Sequence, residues 1–228
     1  MVNNPRFLVL WAVCHTCRHK HALHTEAQGA CGYWQDWTVK HPGHDISLLS
    51  DNDEWKGYKP NADVKEAYAA SAAYTITLTS LASSATLVAG QESTAVSNTT
   101  NVYLDYVVGG RITMGAGAPT VDKTIEVWLY GSVNDTPTYP DVFDGTDSAE
   151  TVTSANVKKS ALRLLERIFV DATANRVYWF GPVAIAQHFG GRIPKNHGLF
   201  VTQDSGQALS ATAGDHVISH TGHYATVV

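Results

Sequence analysis

The chain has 228 residues, a net charge of −5, 44% hydrophobic residues and 16% charged residues. That length can bury a sizeable core, and the balance is that of a globular rather than a disordered chain. The acidic balance and lack of a basic block argue against a nucleic-acid partner, and no apolar run is long enough for a membrane-spanning helix.

The apolar run FLVLWAV at 7–13 is predicted to be a buried strand. It lacks the charged flank and the small-residue cleavage site of a secretory signal. It leads into Cys14-His15-Thr16-Cys17, and residues 1–50 hold all three cysteines and six of the eleven histidines. Three cysteines make no disulfide framework, whereas a CxxC suits a reducing compartment and a metal. Cys14-x2-Cys17 is followed by Cys31 and then by His41-x2-His44. Two such pairs can close a tetrahedron of sulfur and nitrogen ligands around zinc, and a segment this short gains from a metal staple.

The predicted zinc ligands are therefore Cys14, Cys17, His41 and His44, with Cys31 in place of one histidine as the alternative. His15, His19, His21 and His24 are further candidates, and the contrary reading is an accidental CxxC among solvated histidines. The zinc reads as structural. There is no HExxH, and His24-Thr25-Glu26 matches the H-x-E of zinc deaminases with the cysteine pair on the wrong side. Trp34 and Trp37 are expected to pack over the knuckle. A small zinc-binding domain is thus expected over 1–60, ending in the polar loop DNDEWKGYKP, with a short helical or extended linker at 61–74.

From residue 74 the pattern is β. YTITLTSL alternates, NVYLDYVV places Val102, Leu104 and Tyr106 on one face, and TIEVWLYG places Ile125, Val127 and Leu129 opposite Glu126, Trp128 and Tyr130. RVYWF, VAIAQHF, GLFVTQD, DHVISH and HYATVV are further strand candidates, separated by clusters such as VNDTPTYP and GGRIPKN. One amphipathic helix is predicted in TSANVKKSALRLLERIFV. Thr153 or Ser154 would cap it, with a stripe of Val157, Ala161, Leu164, Leu165 and Ile168 and with Lys158, Lys159, Arg163 and Arg167 off that stripe. The expected fold over 75–228 is a mainly β, antiparallel, jelly-roll-like β-sandwich with one helix covering it.

Asp141, Asp144, Asp147 and Glu150 recur every third residue, which misses the spacing of a calcium loop. They read better as acids favouring the next helix N-terminus. His188, His197, His216, His220 and His223 are spread along β segments and are expected to be satisfied or at the surface rather than a second metal site. Trp128, Tyr130, Tyr178 and Trp179 are expected in the core, with a sugar-binding face or a subunit interface as alternatives. There is no nucleophile elbow, P-loop or dinucleotide fingerprint, so no catalytic residues are assigned and no enzyme is expected.

The stretch SSATLVAGQESTAVSNTTNVYLDYVVGGRITMG, then DKTIEVWLYGS, PDVFDGTDSAETVTSANVKK, YWFGPVAIAQHFGG and HYATVV, resembles structural proteins of tailed bacteriophages and prophages over about 75–228. The resemblance implies a β-sandwich displayed on the virion as a head decoration or fibre component. Its partners would be the major capsid protein or other virion proteins, and it would form a homo-oligomer assembled in a host cytoplasm, without nucleic acid or membrane. It carries no active-site residues.

Overall fold

The computed structural model describes residues 10–13, 20–23 and 64–227, and the chain divides into two compact units, 1–62 and 63–228. In the first unit, β1 (Leu10–Val13) and β2 (Lys20–Leu23) pair antiparallel, with Val13 opposite Lys20. Of the strand expected in FLVLWAV, Leu10–Val13 are described, and they form β1. The proposed zinc ligands Cys14, Cys17, His41 and His44, and Cys31 with them, lie outside the described residues, as do Trp34 and Trp37.

The second unit is mainly β with antiparallel sheets, a β-sandwich. One sheet runs in the order β10-β8-β12-β5-β9, and β6 also pairs with β12. Its strands are β5 (Ala89–Glu92), β6 (Val96–Ser97), β8 (Thr124–Ser132), β9 (Ser148–Thr151), β10 (Arg163–Phe169) and β12 (Asn196–Gln203). The other runs β11-β7-β13-β3, with β4 also on β13. It contains β3 (Val64–Tyr68), β4 (Ala72–Ala73), β7 (Asp105–Thr113), β11 (Val177–Ala184) and β13 (Val217–Val227). Residues 61–74, read as a linker, thus contain two strands hydrogen-bonded to β13.

The sheets face each other across a core of Tyr106, Val108, Ile112, Phe180 and Ile218 on one side and Ile125, Val127, Leu129, Leu165, Leu199 and Val201 on the other. Each such side chain contributes roughly 1.5–3 kcal/mol when fully buried. A second apolar layer, with Trp128, Tyr130, Phe143, Val152, Leu162 and Phe200, packs with Val157 and Ala161. The larger sheet is therefore covered on both faces, and every residue of β12 is buried. This explains why TIEVWLYG alternates in type yet buries both sets: Ile125, Val127 and Leu129 enter the inter-sheet core, and Trp128 and Tyr130 enter the second layer. Gly198 belongs to this packing, since a Cβ there would stand 2.2 Å from the Tyr130 ring.

The long helix over TSANVKKSALRLLERIFV is corrected. The helix α1 spans only Ala155–Ala161, capped by Ser154, whose Oγ accepts from Val157 N at 3.2 Å. Beyond it the chain becomes β10. The apolar spacing there mimics a helix because the register shifts between Leu164, opposite Trp128, and Glu166, opposite Val127. That bulge at Leu165 puts two core residues, Leu165 and Ile168, three apart rather than two.

Other expectations shift as well. YTITLTSL joins no ladder and turns at Thr79–Ser80, where Ser80 has a φ of 58°, although Tyr74 and Leu78 still enter the core. Val102 and Leu104 are exposed, and only Tyr106 of that trio is buried. VAIAQHF ends in a 3-10 turn at Ala186–Phe189, and DHVISH and HYATVV contribute to one continuous strand, β13.

Candidate functional site

Two buried carboxylates of the larger sheet hold internal structure. Glu126 on β8 accepts from Lys158 Nζ at 2.8 Å and Trp128 Nε1 at 2.9 Å, and from Arg167 Nε at 3.0 Å and its terminal nitrogen at 2.7 Å. Lys158 also donates to the Leu87 carbonyl at 2.6 Å and sits 4.8 Å from the centroid of the Trp128 ring. Burial pushes the Glu126 carboxyl up, but Lys158, Trp128 and Arg167 outweigh it and hold the group below its ordinary range. Burial pulls the Lys158 ammonium down against the opposing pull of Glu126. Lys158, expected off the apolar stripe, is thus buried as the helix's electrostatic anchor to the sheet.

Glu92 on β5 is fully buried and accepts from Gly145 N at 2.7 Å and Asp144 N at 3.3 Å. Burial pushes its carboxyl above the ordinary range, against the lowering effect of Tyr130 and the two amides. It pins the 133–147 loop rather than opening to solvent.

The acidic run is likewise absorbed locally. Asp141 accepts from Thr153 N and Oγ1, Asp144 from Thr146 N and Oγ1, Asp147 from Thr77 N and Oγ1 and Gln91 Nε2, and Glu150 from Ser148 Oγ. None lies in the first turn of α1, so the expected helix-terminus role passes to Asp141, which holds the residue before the cap. Among the described residues no three His, Cys, Asp or Glu gather to hold a metal ion. His216 serves the backbone, its Nδ1 accepting from Thr113 N at 3.3 Å and its Nε2 lying 3.0 Å from the Ser210 carbonyl.

The four aromatics divide. Trp128 and Tyr130 are core. Tyr178 is half-buried and donates to Asp171 Oδ1 at 2.9 Å, closing the loop between β10 and β11. Trp179, 70% exposed, lies on the outer face of the smaller sheet. Arg111 stands opposite it on β7, with Val217 next on β13, so Trp179, Arg111 and Val217 form one cross-strand row. The Arg111 guanidinium carbon is 5.8 Å from the Trp179 ring centroid and its terminal nitrogen donates to the Gly214 carbonyl at 3.0 Å. The ring is therefore held in place while much of it faces solvent.

A second exposed feature surrounds Val102. Its φ of 51° is a conformation that a β-branched residue adopts at a cost, and its side chain is 69% exposed. Asn98 fixes the loop: its carbonyl accepts from Val102 N at 3.1 Å, its Oδ1 from Tyr103 N at 2.8 Å, and its Nδ2 donates to the Tyr103 carbonyl at 3.0 Å. Two shallow depressions of about 400 and 410 Å³ flank it, one lined by Asn101, Leu104 and Tyr224, the other by Asp135, Pro194 and Lys195. Neither gathers a nucleophile with a base.

Comparison of the chain with protein-family models, curated proteins and solved structures finds no match.

Proposed function

We propose that the chain is a non-enzymatic phage virion structural protein: a capsid decoration or cement protein that docks on the major capsid protein. In this reading the jelly-roll-like sandwich is the displayed body, and Cys14, Cys17, His41 and His44 hold a zinc that staples the N-terminal unit. The observation that carries it is the contrast within the sandwich. Buried carboxylates are committed to internal hydrogen bonds, while the outer face of the smaller sheet holds an exposed Trp179 beside Arg111. Tryptophan and arginine are the side chains most often central to protein interfaces. The same Trp179 face supports a second reading, a tail or fibre module that binds a host glycan or peptide.

An antibody against the chain, applied across a density gradient of particles released from the source cells, tests this. Co-banding with DNA-filled particles is expected, and recovery in the soluble fractions alone overturns the proposal. Binding of purified monomer to a glycan array, lost in Trp179→Ala, would favour the second reading. Elemental analysis tests the staple: one zinc per chain, lost in Cys14→Ser, is expected.

A further inference from the structure

Two imidazoles and two phenols meet between the sheets. His197 is on β12 and His220 on β13, each on a strand with neighbours on both sides. Tyr106 is on β7, and Tyr74 follows β4. His197 is fully buried; its Nε2 lies 3.1 Å from the Tyr74 hydroxyl, and its Nδ1 has no hydrogen-bond partner among the described residues. The Tyr106 ring centroid lies 4.9 Å from that of His197 and 5.2 Å from that of His220, and Tyr74 lies 4.7 Å from His220.

No carboxylate takes part in these contacts. The residues paired with His197 are Val96 on β6 and Gly131 on β8, and those paired with His220 are Val108 on β7 and Ala72 on β4. Among the described residues, the titratable groups facing each imidazole are the other imidazole, Tyr74 and Tyr106, with Tyr103 edge-on to Tyr106 at 5.3 Å. Burial keeps both tyrosines protonated, pushing Tyr106 up to about 12.

We propose that this cluster is an acid latch: proton uptake by His197 and His220 opens the sandwich by driving its two sheets apart. An imidazolium donates from both nitrogens, and His197 Nδ1 has no acceptor among the described residues. A charge there lies in an apolar core, and a second charge on His220 faces it. Burial, and then His220, hold His197 down at about 3, against 6.5 for a free imidazole; burial also lowers His220. The unfolded chain thus binds more protons than the folded one between those two values. The contribution of this cluster to stability is full above about pH 6.5 and is lost as the pH drops toward 3.

Urea unfolding of the full chain from about pH 7.5 to about pH 4.5 tests the latch. His197 alone should raise the unfolding constant about tenfold per pH unit below its free value, about a hundredfold by pH 4.5, and His220 adds to this. His197→Gln should lower the slope by about one proton, and His220→Gln should lower it by less. Carboxylates titrate alike in parent and variants, so the difference isolates the imidazoles. If both variants keep the parent slope, the latch is wrong. Imidazole NMR of the parent needs no variant: His197 should stay neutral until the chain unfolds, and reversible titration near 6.5 in the folded chain overturns the proposal.

Discussion

The two sheets of the sandwich solve different problems with similar strands. The larger sheet is buried on both faces, so a polar residue on it must find a partner inside the protein, and Glu126 and Glu92 do. The smaller sheet is packed on one face. On its other face Arg111 and Trp179 stay near solvent. A polar residue in the first sheet is therefore a matter of stability, and one on the outer face of the second is free to serve recognition. Substitutions should separate the two roles.

The largest effect is expected at the Glu126 network. Lys158→Met leaves a buried carboxylate short of its main partner and should cost about 3–5 kcal/mol in chemical unfolding. If Lys158→Met costs under about 1 kcal/mol, the larger sheet is no more sensitive than an open one. The network also has a pH signature. Glu126 is held below the ordinary 4.5, so its contribution is full above that value and is lost as the pH falls through the lower folded value. Glu126→Gln should remove that part of the acid limb.

Gly198→Ala comes next, at about 1–3 kcal/mol, because the added methyl meets the Tyr130 ring. A melting curve unchanged from the parent would show that Tyr130 can move aside. Ser154→Ala removes the cap of α1 and should cost about 1 kcal/mol by the same measurement. The smallest effect on stability is expected at Trp179→Ala, about 0.5–1 kcal/mol from the lost contact with Arg111. On the proposed docking role, that variant should nevertheless weaken attachment to particles by tenfold or more, since truncating a tryptophan central to an interface typically costs about 2 kcal/mol or more. Loss of stability without loss of attachment would reverse the comparison.

The sequence alone established the β class of the second unit, because alternation in TIEVWLYG and the turn clusters between strands leave few other choices. It also placed the helix start at Ser154, one of its two candidate caps. Tertiary structure decided what local pattern could not. Whether 162–169 is helix or strand rested on pairing with β8, since a single bulge turns a strand's period into a helix-like one. Whether Lys158 is solvated or buried depended on Glu126, 32 positions away on another element. A lone glutamate in an otherwise apolar strand was the available signal for that network. The meeting of His197 with Tyr74, 123 positions apart, had no signal in the sequence, because it arises from two sheets closing on each other rather than from any periodicity. The same holds for Trp179. Its exposure against the burial of Trp128 follows from which sheet face is covered, and that is a property of the assembled layers.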